Sequence, residues 1–222
     1  KRQPKPDACI GCPSYYAGEG FVPPLFGKYY DRLGIILIGE APGESERDCL
    51  EPMCGPTGSR LRKWLAPAGI LLDEVHIWNT VNCRPLNNRE PDKQSQEVCY
   101  AKHVKDFISR HHPKAIVAVG KVAETTLIDQ KHTGRGRVYP YRGDPSIPVI
   151  PTLHPSFIMR GGWKFLPTVI SDLKLARRNA TSTVYMTPSV ESLEASINAL
   201  QTPPWPPNPE CVVFDIETAG ED

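Results

Sequence analysis

The stretch Gly34-Ile35-Ile36-Leu37-Ile38-Gly39-Glu40-Ala41-Pro42-Gly43 decides how this chain folds. Four consecutive aliphatic residues between glycines leave no polar face, the pattern of a strand buried on both sides. Such strands belong to parallel sheets covered by helices, and the Glu-Ala-Pro-Gly that follows is a turn. Outward from it, Ser59 to Ala68 carries Leu61, Trp64 and Leu65 at helical spacing, and Val75 to Val81 reads as a second strand. After a Pro- and Asn-rich loop, Asp92 to Arg110 predicts a long helix. Ala115 to Val119 is a third strand, ended by Gly120 and followed by a helix over Val122–Ile128. Pro148-Val149-Ile150-Pro151 is a short fourth strand, and a last helix runs from Trp163 to Arg177. Strands alternating with helices predict an α/β fold: a three-layer αβα sandwich with a four-stranded parallel sheet.

The 222 residues (24.7 kDa) suit one domain, or one domain with the start of another. With 40% hydrophobic and 23% charged residues the chain is not disordered throughout. No apolar run of about 18 residues predicts a membrane span, and the polar Lys1–Asp7 is no signal peptide, so a cytoplasmic location is expected. A net charge of +1 hides a division. Ser189 to Asp222 holds seven acids and no Lys or Arg, so the other 188 residues carry 26 bases against 18 acids. The bases cluster in Lys105–Arg142 and Arg160–Arg178, as a polyanion-binding surface would have them, though solubility alone explains such charge equally well. The boundary is therefore set at residues 180 and 181. Beyond it the sequence predicts a helix over Val190–Leu200, a stiff Pro203–Pro209 loop and a short strand, Cys211–Phe214. Without an initial Met, and with that strand so near the end, the sequence is expected to be a piece of a longer polypeptide.

In open α/β sheets ligands bind beyond the carboxyl ends of the strands. That rule selects three loops, Glu40–Gly43, Asn79–Pro91 and Thr152–Arg160, before any motif is considered. Of the seven cysteines, Cys9 and Cys12 form a C-x-x-C pair, Cys83 ends the second strand, and Cys99 follows with fifteen residues between. An odd count without a secretion signal argues against a disulfide framework. Four thiolates suit either Zn²⁺ or an iron–sulfur cluster, and spacing alone leaves both open, as it leaves open no metal at all. Cys49 and Cys54 read as filler or partly buried thiols.

Three motifs in order carry a resemblance: Gly39-Glu40-Ala41-Pro42-Gly43; Asn79-Thr80-Val81-Asn82-Cys83-Arg84-Pro85-Leu86-Asn87-Asn88-Arg89-Glu90-Pro91; and Thr152-Leu153-His154-Pro155-Ser156. With Asp172-Leu173-Lys174 and the four cysteines, the chain from about Cys9 to Arg178 resembles the iron–sulfur (family 4) uracil-DNA glycosylases. That resemblance implies a [4Fe-4S] cluster on Cys9, Cys12, Cys83 and Cys99, structural in role, and uracil-containing DNA as partner. Val213-Phe214-Asp215-Ile216-Glu217-Thr218 resembles the first motif of the 3′–5′ exonuclease domain of family A DNA polymerases. There Asp215 and Glu217 would bind a divalent metal, Mg or Mn, in a site completed only by downstream residues; an exposed acidic turn is the alternative. The combination resembles certain bacteriophage DNA polymerases. It implies downstream exonuclease and polymerase domains in one polypeptide, a monomer, and the cytoplasm of a bacterium or a phage-infected host.

Uracil excision breaks the bond between N1 and C1′, after the base has been flipped out of the stack. The leaving base gathers negative charge on O2, and a neutral imidazole at His154 would donate to it. The Asn79 carboxamide would accept from N3–H and donate to O4, a pattern cytosine reverses. Glu40 would orient water or backbone near C1′. Gly39 and Ala41 flank it against the base, Ala41 standing where other uracil glycosylases carry Asp. The resemblance implies that Glu46 blocks the thymine methyl, although a solvated charge is equally plausible. Phe157, Ile158 and Met159 would supply a wedge into the vacated stack, with Ser156 also on the DNA and Arg160 and Lys164 on phosphates. Met53 departs from the family, which places a stacking Phe there; Arg47 and Pro56 also differ. Two rivals remain: a non-catalytic polymerase appendage that senses uracil or holds single strands, and a zinc-bound structural module.

Overall fold

The computed structural model describes residues 4–130 and 133–182. The element order is α1 (Pro13–Ala17), β1 (Glu19–Phe21), α2 (Tyr30–Leu33), β2 (Ile35–Gly39), α3 (Glu44–Cys49), α4 (Pro56–Leu65), β3 (Val75–Asn79) and β4 (Cys83–Arg84). There follow α5 (Lys93–Cys99), α6 (Lys105–His111), β5 (Ala115–Val119), α7 (Lys121–Leu127), β6 (Tyr139–Tyr141), β7 (Asp144–Thr152), α8 (Pro155–Phe157) and α9 (Leu166–Thr181).

The main sheet has the order β3-β2-β5-β7-β6. The first four strands are parallel, as expected. The fifth is a correction to the expected four-stranded sheet: β6 pairs antiparallel with β7. Pro140, in the middle of β6, reads as a strand breaker but is tolerated on an edge, where no ladder partner needs its N–H. Strand β7 also begins earlier than Pro148.

Every residue of β2 is buried, and side-chain alternation divides its load between two cores. Ile35 and Leu37 face Leu61, Leu65, Leu173 and Ala176 from α4 and α9. Ile36 and Ile38 face Phe107, Ile108 and Leu127 from α6 and α7. These are the three layers. Truncating a fully buried Ile36 to Ala costs about 2–5 kcal/mol, through lost transfer energy and the cavity left behind.

The predicted helix over 92–110 is present as α5 and α6 joined by a π-turn, Tyr100–Val104. Asp92 caps its start, Oδ1 accepting from the Ser95 N–H at 2.8 Å. The last helix begins at Leu166 rather than Trp163, because Gly161 (φ +111°) breaks the preceding turn. A second sheet pairs β1 with β4, carrying Cys83 toward the amino-terminal cysteines. Among the described residues no helix is long and apolar enough to cross a membrane. The tail elements expected over Val190–Phe214, with Asp215 and Glu217, lie outside the described residues.

Candidate active site

Parallel strands bring their carboxyl ends to one edge of the sheet. There Gly39 pairs with Asn79, and Val119 with Thr152. A cleft of about 520 Å³ opens at that edge. Its walls bring together Glu40, Ala41, Asn79, His154, Ser156 and Arg160, from all three predicted loops, with Glu46 and Met53 from outside them. Backbone bonds join two of those loops: Thr80 N–H donates to the Gly39 carbonyl at 2.9 Å, and Val81 N–H to that of Glu40 at 3.0 Å.

Asn79 ends β3 and is only 1% exposed. Its Nδ2 is buried and has no hydrogen-bond partner within the protein. Buried amide donors are nearly always paired, because an orphan costs roughly 1–3 kcal/mol. On a cleft wall, such a donor is available to a ligand oxygen.

His154 is both a helix cap and a cleft residue. Its Nδ1 accepts from the Ser156 N–H at 3.2 Å, at the start of α8. A ring nitrogen that accepts carries no proton, so the neutral ring bears its hydrogen on Nε2. The Ser156 hydroxyl, 2.7 Å from Nδ1, is then a second donor to the same nitrogen. Burial, and then the Arg160 charge, pull the imidazole pKa down to about 4, so the ring is neutral near pH 7. Gly120, at φ +89°, backs the ring: a Cβ there would meet His154 Cβ and Cδ2 at 3.1 Å.

Burial, and secondarily the Glu90 charge, raise the Glu40 carboxyl above the usual carboxylate range. Ala41 beside it adds no polar group to the wall. Glu46 is half-buried and hydrogen-bonded. One carboxylate oxygen accepts from the Gly43 N–H at 2.5 Å and the other from the Met53 N–H, tying α3 to the opposite rim. Met53, 5% exposed, sits at φ +60° on Gly58, where a Cβ would strike its backbone at 2.2 Å. Cys49 and Cys54 are joined in a disulfide that closes this rim, which corrects their reading as filler or partly buried thiols. Neither lines the four-cysteine cavity, and their pairing goes with a turn at Leu50, φ +56°, that spacing does not announce.

Among the expected DNA contacts, Ser156 and Arg160 line the cleft, and Phe157 and Lys164 are exposed. Ile158 is a correction: it is fully buried in the core, because α8 turns it inward, and no wedge can include it. Asn88 and Arg89 also line the cleft. They fall within the second loop, but nothing in their spacing distinguishes them. Asn88 Oδ1 accepts from Arg84 Nε at 3.0 Å, and Glu19 bridges Arg84 to Arg47 of α3.

Cys9, Cys12, Cys83 and Cys99 are unbridged, buried, and line one small cavity. Burial and their mutual repulsion push Cys83 to about 11 and Cys99 to about 12, and Cys9 also rises. Asn82 Nδ2 approaches Cys99 Sγ at 3.4 Å, and His103 Nε2 lies 2.9 Å from Cys9 Sγ. Among the described residues no three His, Cys, Asp or Glu side chains are set to hold a metal ion. Soft sulfur donors of this kind suit Zn²⁺ as well as an iron–sulfur cluster. Four soft sulfur donors around a cavity fit a sulfur-ligated cluster.

A profile of the uracil DNA glycosylase superfamily matches residues 26–175. The chain is 37% identical over 157 residues to a type-4 uracil-DNA glycosylase of Thermotoga maritima, covering 68% of this chain and 78% of that protein. It is 31% identical over 164 residues to the type-4 uracil-DNA glycosylase of Archaeoglobus fulgidus, covering 68% and 78%. The protein of that description from Pyrobaculum aerophilum is 33% identical over 121 residues, covering 54% and 60%.

Proposed function

Because the chain belongs to the uracil-DNA glycosylase superfamily, and within it to the type-4 enzymes, we propose that its cleft hydrolyses the N-glycosidic bond of a uracil extruded from DNA. The observation that carries this reading is the buried, unpartnered Nδ2 of Asn79. Uracil O4 would take that donor, and the carboxamide oxygen would accept from N3–H. Cytosine offers a donor and a bare nitrogen at those positions, leaving buried groups unpaired on both sides.

As the bond between N1 and C1′ lengthens, its electron pair leaves with the base and collects on O2. A donor placed there matters most in the transition state, which is how binding becomes rate. His154 serves with Nε2–H as a neutral donor, Nδ1 being occupied by Ser156. Glu40 would hold the water whose oxygen ends on C1′, and its charge favours the cationic sugar. Ala41 leaves room beside it, and Gly39 admits the carboxamide. Met53 covers the ring by its thioether, with Glu46 fixing the backbone beneath. Arg160, Lys164 and Ser156 would hold the DNA backbone, and Phe157 the vacated stack.

The same membership supports a [4Fe-4S] cluster on Cys9, Cys12, Cys83 and Cys99. Bound there, it would supply a structural tie between the amino-terminal segment, β4 and α5; hydrolysis moves no electrons that it would need to carry. Asn82 and the positive charges of Lys5 and Lys102 partly oppose the burial that holds these sulfurs as thiols. Purified protein should be brown, whereas colourless protein with stoichiometric zinc would contradict the cluster. The motif Val213–Thr218 and the acidic composition from Ser189 support residues 181–222 as the start of an exonuclease domain in a DNA polymerase polypeptide, with Asp215 and Glu217 as divalent-metal ligands.

The test is a uracil-containing oligonucleotide, incubated and then treated with alkali to cut abasic sites. Strand scission supports excision. Binding without scission would instead favour an appendage that senses uracil or holds single strands, a reading to which Met53, a thioether where the family has a stacking ring, lends weight.

A further inference from the structure

We infer that Phe157, Trp163 and Phe165 form a stacking shelf for unpaired bases of single-stranded DNA beside the cleft, an inference that rests on the DNA reading above. The three side chains are 43%, 47% and 38% exposed within nine residues of chain. Large apolar side chains so exposed and so close together mark a contact surface.

The shelf is built rather than accidental. Gly161, at φ +111°, takes a left-handed turn that returns Trp163–Phe165 toward Phe157. The rings of Phe157 and Phe165 meet at 5.7 Å between centroids, inclined by 37°. Gly162 lies under Phe157, where a Cβ would come 2.8 Å from its carbonyl oxygen and 2.9 Å from Cε1. Trp163 sets its edge against the buried Trp64, centroids 6.5 Å apart at 84°. Each ring is thus anchored on one side and open on another. Held rings lose little freedom when a ligand stacks on them.

Charge and position identify the occupant. Lys164 Nζ lies 5.1 Å from the Phe165 ring centroid, and Arg160, four residues earlier, lines the cleft itself. Phe157 follows Ser156, another cleft residue, so the shelf continues the wall into which the target base would turn. Cations interleaved with aromatic rings are the arrangement that tracks a phosphate backbone while bases stack. Bases in a duplex already stack on one another and show mainly their edges. Only an unpaired strand offers free faces to all three rings.

The experiment uses the full chain and a fluorescent, uracil-free oligothymidylate of about 12 nucleotides, long enough for one such groove. The same length of duplex serves as comparison. In Trp163→Ala/Phe165→Ala, affinity for the single strand should fall about tenfold or more, the loss expected from one or two stacked bases, and duplex affinity less than about twofold. Trp163→Phe/Phe165→Tyr should restore single-strand binding. Unchanged single-strand affinity, or equal loss on both DNAs, would overturn the inference, as would failure of the aromatic pair to restore binding. Since the probe lacks uracil, the result stands apart from whether the cleft excises it.

Discussion

Gly39 and Asn79 face each other across neighbouring strands with no space between them: a Cβ on Gly39 would lie 2.5 Å from Asn79 Oδ1 and 2.7 Å from Met53 Cε. The bare backbone of β2 therefore sets the position of the carboxamide proposed to read the base. Gly39→Ala should push that amide out of place. An ångström of misplacement costs about 100-fold in rate, so kcat/KM for uracil release should drop by that order while the sheet remains folded. Steady-state kinetics beside circular dichroism checks both halves.

The four parallel strands are legible in sequence because burial on both faces leaves continuous apolar runs, as in Ile35–Ile38. The edge strand is not, since Pro140 imitates a break and an edge needs fewer ladder bonds. In the site, Glu40, Asn79 and His154 are legible because each ends or follows a strand. Ile158 is misread because residue type cannot say which way a one-turn helix will point it. The tie from Glu46 to the Met53 N–H is invisible for a related reason: two positive-φ residues, Leu50 and Met53, fold the rim back on itself.

His154 should titrate with a midpoint near 4, well below the ordinary value of about 6.5, because burial and Arg160 both oppose a charged ring. The neutral donor is then present throughout the range above that midpoint. NMR of the imidazole in the free protein measures this directly. A midpoint near 6.5 would contradict the opposition of burial and Arg160 to a charged ring.

Reducing the Cys49–Cys54 disulfide, or making Cys49→Ser/Cys54→Ser, removes a clip from the rim that carries Met53. A loop this short constrains the unfolded chain by about 2 kcal/mol, so thermal stability should fall modestly. The larger effect should be on KM, several-fold upward, because the side chain covering the base is held less firmly. Kinetics with and without reductant tests it; an unchanged KM would mean that Glu46 alone fixes Met53.

His76 is buried in a ring cluster, stacked on Tyr30 at 3.7 Å and set 4.6 Å from His111, with Nδ1 accepting from the Gly27 N–H. Burial first, and His111 second, lower its pKa to about 4. The unfolded chain therefore binds this proton more readily. Stability from His76 is complete above about pH 6.5 and is lost as pH falls from there toward 4. Melting temperatures across that window should decline, and decline less in His76→Phe.

Release of free uracil from a single-stranded oligonucleotide, followed by chromatography in single-turnover conditions, decides whether Asn79 reads the base and His154 carries the charge of its departure. The wild type should release uracil, and His154→Ala should lose ~100–1,000-fold. Asn79→Asp, where an acceptor would face O4, should lose at least about tenfold. Release at wild-type rates by either variant, or none from the wild type, would contradict these roles.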